Sequence, residues 1–331
     1  MQARASLFDR LVGRPRRTWP TVVVALALLA APALAAAVDG AIGGFFHQGT
    51  WRLMIYPAIV VYILAVAPRL GSMDRAVIQS FRSISPVEEP VFQRLVREAT
   101  TIQPVHELLV LACGAALGYL SIFGGEAPAA QSWLDVCWIV LAALMYAMLA
   151  WTVYVSFVST RLTSALHRLP LQVDPFDTSP FEAIGRQALL LALVFIGGIT
   201  LSLLFVGFRP ESLQLPEFWL AYLPPALVPV LLFFLNMLPT HQVLLRAKRR
   251  ELGAEQALIL GSCRALADSV ERHQQTGTLA AEINAFTSYE QRLQQTRTWP
   301  YNIGMLRTLF FSVLVPGLTV LARVLAGTWV G

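Results

Sequence analysis

Long apolar segments alternate with shorter polar links along most of the chain. A helix that crosses the hydrocarbon core of a bilayer needs about 20 mostly apolar residues. Seven segments fit this description, namely residues 20–37, 53–68, 105–124, 133–158, 187–207, 217–239 and 303–326. The pattern predicts an all-α, polytopic integral membrane protein with seven transmembrane helices, which we number spans 1 to 7.

The composition leads to the same class of protein. The 331 residues are 56% hydrophobic and 14% charged, and the mean hydropathy is +0.59. Soluble proteins carry roughly 25% charged residues. The chain therefore has too few charges to cover a water-exposed surface, and we expect the lipid bilayer to be its main partner.

The basic residues are concentrated on alternate links. Residues 1–19 hold five, and the links after spans 2, 4 and 6 hold five, three and eight, so these segments carry 21 of the 25 Lys and Arg. Short cytoplasmic loops retain positive charge. The amino terminus is therefore predicted to be cytoplasmic and the carboxyl terminus outside. All basic residues except Lys248 are Arg, a bias typical of GC-rich genomes, which suggests the plasma (inner) membrane of a prokaryote.

The first span has an alternative interpretation. Five arginines, an apolar run from Thr21 and a small-residue stretch around Ala33-Leu34-Ala35 resemble the three zones of a cleavable signal peptide. Six spans would remain after cleavage. We expect the segment to be retained, giving seven.

The chain divides into three predicted parts. Residues 1–240 form a membrane domain of six spans, residues 241–300 a cytosolic helical hairpin, and residues 301–331 the last transmembrane helix. Within the first part, apolar residues recur every three to four positions on both sides of a break at Pro86–Pro90. This spacing predicts two amphipathic helices along the inner membrane surface at about 73–103.

The hairpin carries a heptad pattern. Its repeat places one apolar residue every seven positions, at Leu245, Leu252, Ile259 and Leu266. This predicts a stalk to about Gln274, followed by a returning helix. Because two short helices bury little surface alone, we expect these four residues to mediate oligomerisation, which makes a homo-oligomer the expected assembly. A cytosolic protein partner at 241–300 is the alternative.

The spans contain few ionisable residues, which usually mark ion paths in membranes. Three of them lie near the cytoplasmic ends, and we expect Arg307 to pair with Glu107 or Glu182. Asn236 is the polar residue near the end of span 6.

Prolines in the last two spans are a second pore signal. Pro229 and Pro316 free backbone carbonyls, and interrupted helices build binding sites in transporters, although plain kinks are the alternative. These two prolines, Asn236 and the three ionisable residues are the candidate pore or gate residues.

Two glycine pairs are candidate helix-packing positions. Gly114 and Gly118 form a GxxxG motif in span 3, and Gly197 and Gly198 are adjacent in span 5. Small residues of this kind let two helices approach closely in a membrane.

Several classes of chemistry lack their residues. Asp174 and Asp177 could ligate a metal, but each lies beside turn-forming residues and is expected to cap or turn the backbone instead. No Walker, HExxH or GxSxG motif is present. No metal, cofactor, catalytic residue or nucleic-acid partner is therefore expected, and the chain is not expected to be an enzyme.

Together these features favour an oligomeric channel or carrier with its path near spans 6 and 7. The alternative is a signalling or assembly subunit whose cytosolic hairpin docks a partner. A membrane-embedded enzyme ranks third.

Overall fold

The structure is a computed structural model that describes residues 19–43, 53–123, 132–206, 216–272, 277–296, 298–299 and 301–330. The arginines of residues 1–18 and the links 44–52, 124–131 and 207–215 lie outside the described residues. The described chain is helical and contains no strand. Its helices are α1 (Trp19–Val38), α2 (Ile55–Ile84), α3 (Glu89–Thr100), α4 (Pro104–Phe123), α5 (Trp133–Leu166), α6 (Ser179–Val206), α7 (Pro216–Glu271), α8 (Gly277–Gln295) and α9 (Ile303–Val330).

Six apolar helical stretches in the described residues are long enough to cross a membrane. They lie at Trp19–Val38, Ile55–Ile84, Glu89–Leu120, Trp133–Leu166, Ser179–Phe205 and Pro229–Asp268. In α9 the apolar stretch is Ile303–Leu318, which is shorter than the other six. Length and composition thus support the all-α class and a protein with six helices that could cross a membrane.

Large apolar side chains cover the outside of the bundle. On α5, Phe157 is 70% exposed, and α1, α4 and α9 each present an exposed apolar face. The most exposed members on these three helices include Leu26, Leu34, Val105, Leu117 and Phe310. Contiguous apolar surface on this scale is untenable in water and is typical of contact with lipid.

Helix α2 is longer than its predicted span. Its 30 residues extend about 45 Å, whereas the hydrocarbon core is about 30 Å thick. The first of the two predicted surface helices, which begins at Met73, is therefore the continuation of α2 rather than a separate element, because Pro68 does not break the helix. The break follows at Ser85, and α3 is the second predicted helix.

The largest apolar core joins one end of the bundle. The carboxyl ends of α2 and α5 meet the amino end of α6, where the rings of Phe81 and Phe181 are 5.7 Å apart in a T-shaped contact. The Gln172 amide donates to the Ile84 carbonyl across the same end. The basic links between these helices therefore gather at one end, which the charge pattern predicts to be cytoplasmic. We call it the inner end.

Helix α7 continues beyond the bundle as a stalk, and α8 packs back against it. The Lys248 ammonium donates to the carbonyls of Gln294 (2.6 Å) and Thr296 (3.0 Å), at the carboxyl end of α8. Gln256, two turns further along the stalk, donates to Glu290 at 3.0 Å. These contacts hold the two helices together as a hairpin.

The heptad residues of the stalk lie on the same side of α7 as Lys248 and Gln256, which contact α8. All four of them are half-buried rather than fully exposed, namely Leu245, Leu252, Ile259 and Leu266. Helical spacing places Lys248 and Gln256 between them. The heptad face thus lies toward α8 of the same chain.

The opposite, outer end is joined by Asp39. Its carboxylate accepts from the backbone amides of Trp133 (3.1 Å) and Leu134 (2.8 Å), the first residues of α5. The amino end of a helix has unsatisfied N–H groups and a partial positive charge, so a carboxylate is a favourable partner. This contact ties the end of α1 to α5.

Glycines allow two close helix contacts within the bundle. A Cβ at Gly114 would lie 2.7 Å from the Tyr146 carbonyl oxygen of α5, and one at Gly118 would lie 2.6 Å from the Tyr146 ring. On α6, a Cβ at Gly197 would collide with the Tyr62 hydroxyl, whereas Gly198 is less crowded. The candidate packing glycines of α4 therefore face α5, and Gly197 faces α2.

Candidate functional site

A small polar pocket lies among α5, α6 and α7 at the inner end. Its volume is about 70 Å³, and it is partly open. Apolar atoms form most of its accessible wall, but six lining residues are polar: Ser159, Thr160, Thr163, Ser164, Gln187 and Asn236. On this measure one water needs about 10–15 Å³, so the pocket has room for a few waters or a small ion.

The carboxylate of Asp74 lies one hydrogen bond behind this wall. Its Oδ1 atom accepts from the Ser159 hydroxyl and from the Gln187 amide, each at 2.5 Å. Both donors line the pocket. Helices α2, α5 and α6 thus bring a negative charge next to the polar cavity.

The hydroxyl groups of the wall already have acceptors for their protons. Thr160 can donate to the Ser156 carbonyl at 3.0 Å, and Thr163 to the Ser159 carbonyl at 3.1 Å or to Gln187 Oε1 at 3.2 Å. Back-bonding of this kind is common for hydroxyls in apolar helices. The hydroxyl oxygens therefore retain lone pairs, and the amide oxygen of Asn236, 3.4 Å from Thr160, adds another acceptor.

A proline on α7 leaves the carbonyl of one pocket residue without its usual helical donor. Pro239 has no N–H, so it cannot donate to the carbonyl of Leu235 one turn earlier. Both residues line the pocket. Helix α7 runs as one element through this position, so the proline alters hydrogen bonding without ending the helix.

A half-buried histidine lies one turn after Thr163 of the pocket wall. At the end of α5, His167 Nδ1 lies 2.7 Å from the Thr163 carbonyl, and its Nε2 lies 2.9 Å from the hydroxyl of Thr240, which is fully buried. The carbonyl can only accept, so Nδ1 carries the proton and Nε2 accepts from Thr240. Burial lowers the pKa of His167 below its ordinary value of 6.5, partly offset by the Thr163 contact.

The candidate pore residues are scattered through the structure. Asn236 lines the pocket. Glu107 is 1% exposed and accepts from the indole of Trp151 at 2.9 Å, within the contact of α4 with α5. Its carboxylate is therefore held away from the pocket wall.

The expected ion pair of Arg307 is not formed by the described side chains. Glu182 contacts Arg186 at 3.4 Å within α6, and Glu107 has the partner given above. Arg307 is exposed and lies over the ring of Phe311, 5.8 Å from its centre. On the surface of α9, the arginine can extend toward the headgroup layer without a carboxylate partner.

The two candidate prolines do not line the pocket. Pro229 is buried in α7, and Pro316 is half-buried in α9. Both lie inside continuous helices, so neither interrupts its helix. The proline that does line the pocket is Pro239, which marks the end of span 6 in the sequence.

Two carboxylates in the link between α5 and α6 accept hydrogen bonds from backbone amides two residues further along. Asp174 accepts from the Phe176 amide at 2.8 Å, and Asp177 from the Ser179 amide at 3.0 Å, at the start of α6. These bonds confirm the expected turn and cap roles. The bonds from Ser179 lower the pKa of Asp177. In the part of the chain that the structure describes, no three His, Cys, Asp or Glu side chains come together as a metal site.

Sequence reasoning missed three members of this site, Asp74, Ser159 and Gln187. Ser159 and Gln187 follow Asp74 by 85 and 113 residues along the chain, and Asp74 lies in a segment predicted to be a surface helix. One signal was available, because Asp74 is the sole acidic residue of α2. Comparison of the chain with known protein families, with curated proteins and with solved structures found no match.

Proposed function

We propose that the chain is a multi-pass membrane transport protein, an oligomeric channel or carrier, in which a small solute passes through the polar pocket among α5, α6 and α7. The observation that carries this proposal is the pocket itself, with six polar residues on helices that are otherwise apolar. Polar side chains between membrane helices are costly and commonly mark substrate paths.

The pocket changes the helices to which we assign the proposed solute path. The sequence favours spans 6 and 7, which correspond to the bundle part of α7 and to α9. Because Asn236 of α7 lines the pocket, span 6 remains one wall of the proposed path. The packing of α9 against α6 and the exposure of Arg307 favour α5 and α6 as the other walls.

Flux measurements in liposomes test the proposal. The purified chain would be reconstituted and assayed for entry of monovalent cations and small neutral solutes, with and without a membrane potential. We expect flux above that of empty vesicles, and loss of it in Asn236→Leu, which fills the pocket with an apolar side chain.

A matched threonine pair provides the control. Thr160→Val removes a pocket hydroxyl, whereas Thr200→Val removes a hydroxyl of α6 that also bonds a carbonyl one turn back but does not line the pocket. We expect reduced flux in the first variant and unchanged flux in the second. Absence of flux across the whole solute panel, or equal effects of the two variants, would contradict the proposal.

A second candidate function is a signalling or assembly subunit whose hairpin docks a partner. It is favoured by apolar side chains on the stalk that α8 leaves uncovered: Leu258, Leu260 and Val270 are 53%, 58% and 58% exposed. Site-specific crosslinking from position 258 in membranes tests it. Crosslinks to a second copy support the oligomer, crosslinks to another protein support the docking subunit, and crosslinks within the same chain alone contradict both.

A further inference from the structure

We infer that the polar pocket is a binding site for a monovalent inorganic cation, held near Asp74. This inference deepens the proposed function, because it names the class of solute for the same pocket. It rests on three observations: the type of atom that lines the pocket, the single negative charge behind the wall, and the size of the cavity.

The first observation is the excess of oxygen acceptors. Thr160 and Thr163 can direct their hydroxyl protons toward backbone carbonyls, and Ser159 directs its proton toward Asp74. Each of these hydroxyl oxygens therefore retains lone pairs, and the three residues line the cavity. Hard cations prefer such oxygen ligands.

Helix α7 contributes acceptors from the opposite side. The Asn236 amide oxygen and the carbonyl of Leu235, which Pro239 cannot satisfy, both belong to residues of the wall. Backbone carbonyls freed in membrane helices coordinate Na⁺ in transporters of known mechanism. A proline one turn after a pocket residue therefore fits a cation site better than a purely structural kink.

The second observation is the charge of Asp74. Its carboxylate contacts two residues of the wall, Ser159 and Gln187, and so favours a positive charge in the cavity. Three arginines lie next to the site residues in sequence, Arg75, Arg161 and Arg186, and all three are exposed. Arg75 adjoins Asp74 and attracts its carboxylate from the exposed side of α2, and Arg186 faces Glu182. One negative charge suits a monovalent ion, whereas divalent ions in proteins are usually bound by several carboxylates.

The third observation is the cavity volume of about 70 Å³. This space accommodates Na⁺ or K⁺ with one or two waters. It is too small to enclose a large organic cation such as N-methylglucamine. The site should therefore distinguish cations by size.

Thermal unfolding of the purified full-length chain in detergent tests the inference. NaCl or KCl would replace N-methylglucamine chloride at constant ionic strength. We expect the midpoint temperature to rise by a few degrees and to saturate with Na⁺ or K⁺, because a ligand that binds only the folded state stabilises it. No difference between the inorganic and the organic cation would overturn the inference, as would a response to pH alone.

Variants locate the effect. In Asp74→Asn we expect the half-saturating cation concentration to rise by about tenfold or more. The matched control is Asp174→Asn, which removes a carboxylate of an exposed turn and should leave the cation response unchanged. If Asp74→Asn is not recovered folded, Ser159→Ala removes the hydroxyl between the carboxylate and the cavity and should weaken the response as well. Equal responses in wild type and Ser159→Ala would overturn the assignment to this pocket.

Binding and transport can fail separately. A saturating cation shift without flux would support the cation site and remove the proposed transport. Flux of a neutral solute without any cation shift would support transport and overturn the cation site.

Discussion

The bundle and the stalk of the hairpin differ in how closely their helices approach. In the bundle, added Cβ atoms at Gly114, Gly118 and Gly197 would collide with neighbouring helices. In the stalk, Gly253 and Gly261 have no atom within 4 Å of that position. The bundle is thus specified by close contacts, whereas the stalk leaves much of its surface open.

The two regions also differ in the partners of their polar side chains. At the inner end of the bundle, Asp74, His167 and Thr240 bond to partners on other helices. On the stalk, charged residues such as Arg249 and Arg250 are exposed. Buried polar groups need specific partners, because an unpaired one is costly, so they fix how helices meet. The proposed solute site therefore lies in the region with specific buried contacts, and the proposed assembly surface lies on the more open stalk.

Alanine substitutions of a bundle glycine and a stalk glycine should give the largest difference in the free energy of unfolding. Gly114→Ala should destabilise the protein by about 1–3 kcal/mol, because the new methyl meets backbone atoms of α5 that cannot rotate away. Gly261→Ala should instead stabilise the stalk helix by about 0.5–1 kcal/mol. Equilibrium unfolding in mixed detergent measures both, and equal effects would remove the proposed difference between the regions.

The histidine at the inner end gives a pH dependence. Because the pKa of His167 is lowered in the folded state, the unfolded chain binds more protons just below pH 6.5. Stability should therefore be complete above pH 6.5 and fall as the pH drops toward the folded-state pKa. His167→Gln should flatten this part of the curve of stability against pH, whereas the exposed His106 provides a control variant, His106→Gln, that should not.

The outer end of the bundle provides a capping test. Asp39→Ala removes the acceptor for two amides at the start of α5 and should cost about 1 kcal/mol. Asp39→Asn, which keeps one acceptor oxygen, should cost less. Unfolding free energies that are identical for wild type and both variants would show that the contact with α1 does not stabilise α5.

The smallest effect is expected on the hairpin. Lys248→Met removes the ammonium that bonds two carbonyls at the end of α8 and should weaken that end by about 0.5–1 kcal/mol. Amide exchange near Gln294 should become faster while exchange in α5 stays unchanged. Arg249→Met, at an exposed position one residue further along the stalk, is the matched control.

Hydropathy and charge predict the helices well because both follow from local sequence. Apolar length locates the spans, and the heptad of Leu245 to Leu266 indicates a helix that leaves the membrane. The difference at α2 arises because amphipathic spacing after Met73 looks the same for a surface helix and for a span that continues beyond the bilayer.

The site was less predictable because its members come from distant segments. Asn236 was identified from its place in an apolar run, but Asp74, Ser159 and Gln187 become neighbours only when α2, α5 and α6 pack. The expected pair of Arg307 failed for the same reason, since proximity to one membrane face does not place two side chains on facing helices.

Cysteine accessibility in native-like membranes tests the central claim, a hydrated and cation-selective pocket, most directly. In a chain whose three native cysteines are replaced, Thr160→Cys and Thr200→Cys would be reacted with small cationic and anionic methanethiosulfonates. We predict modification at position 160, faster by about tenfold or more with the cationic reagent and slowed by Na⁺ or K⁺, and none at position 200. Equal inertness of both positions, or faster reaction with the anionic reagent at position 160, would contradict it.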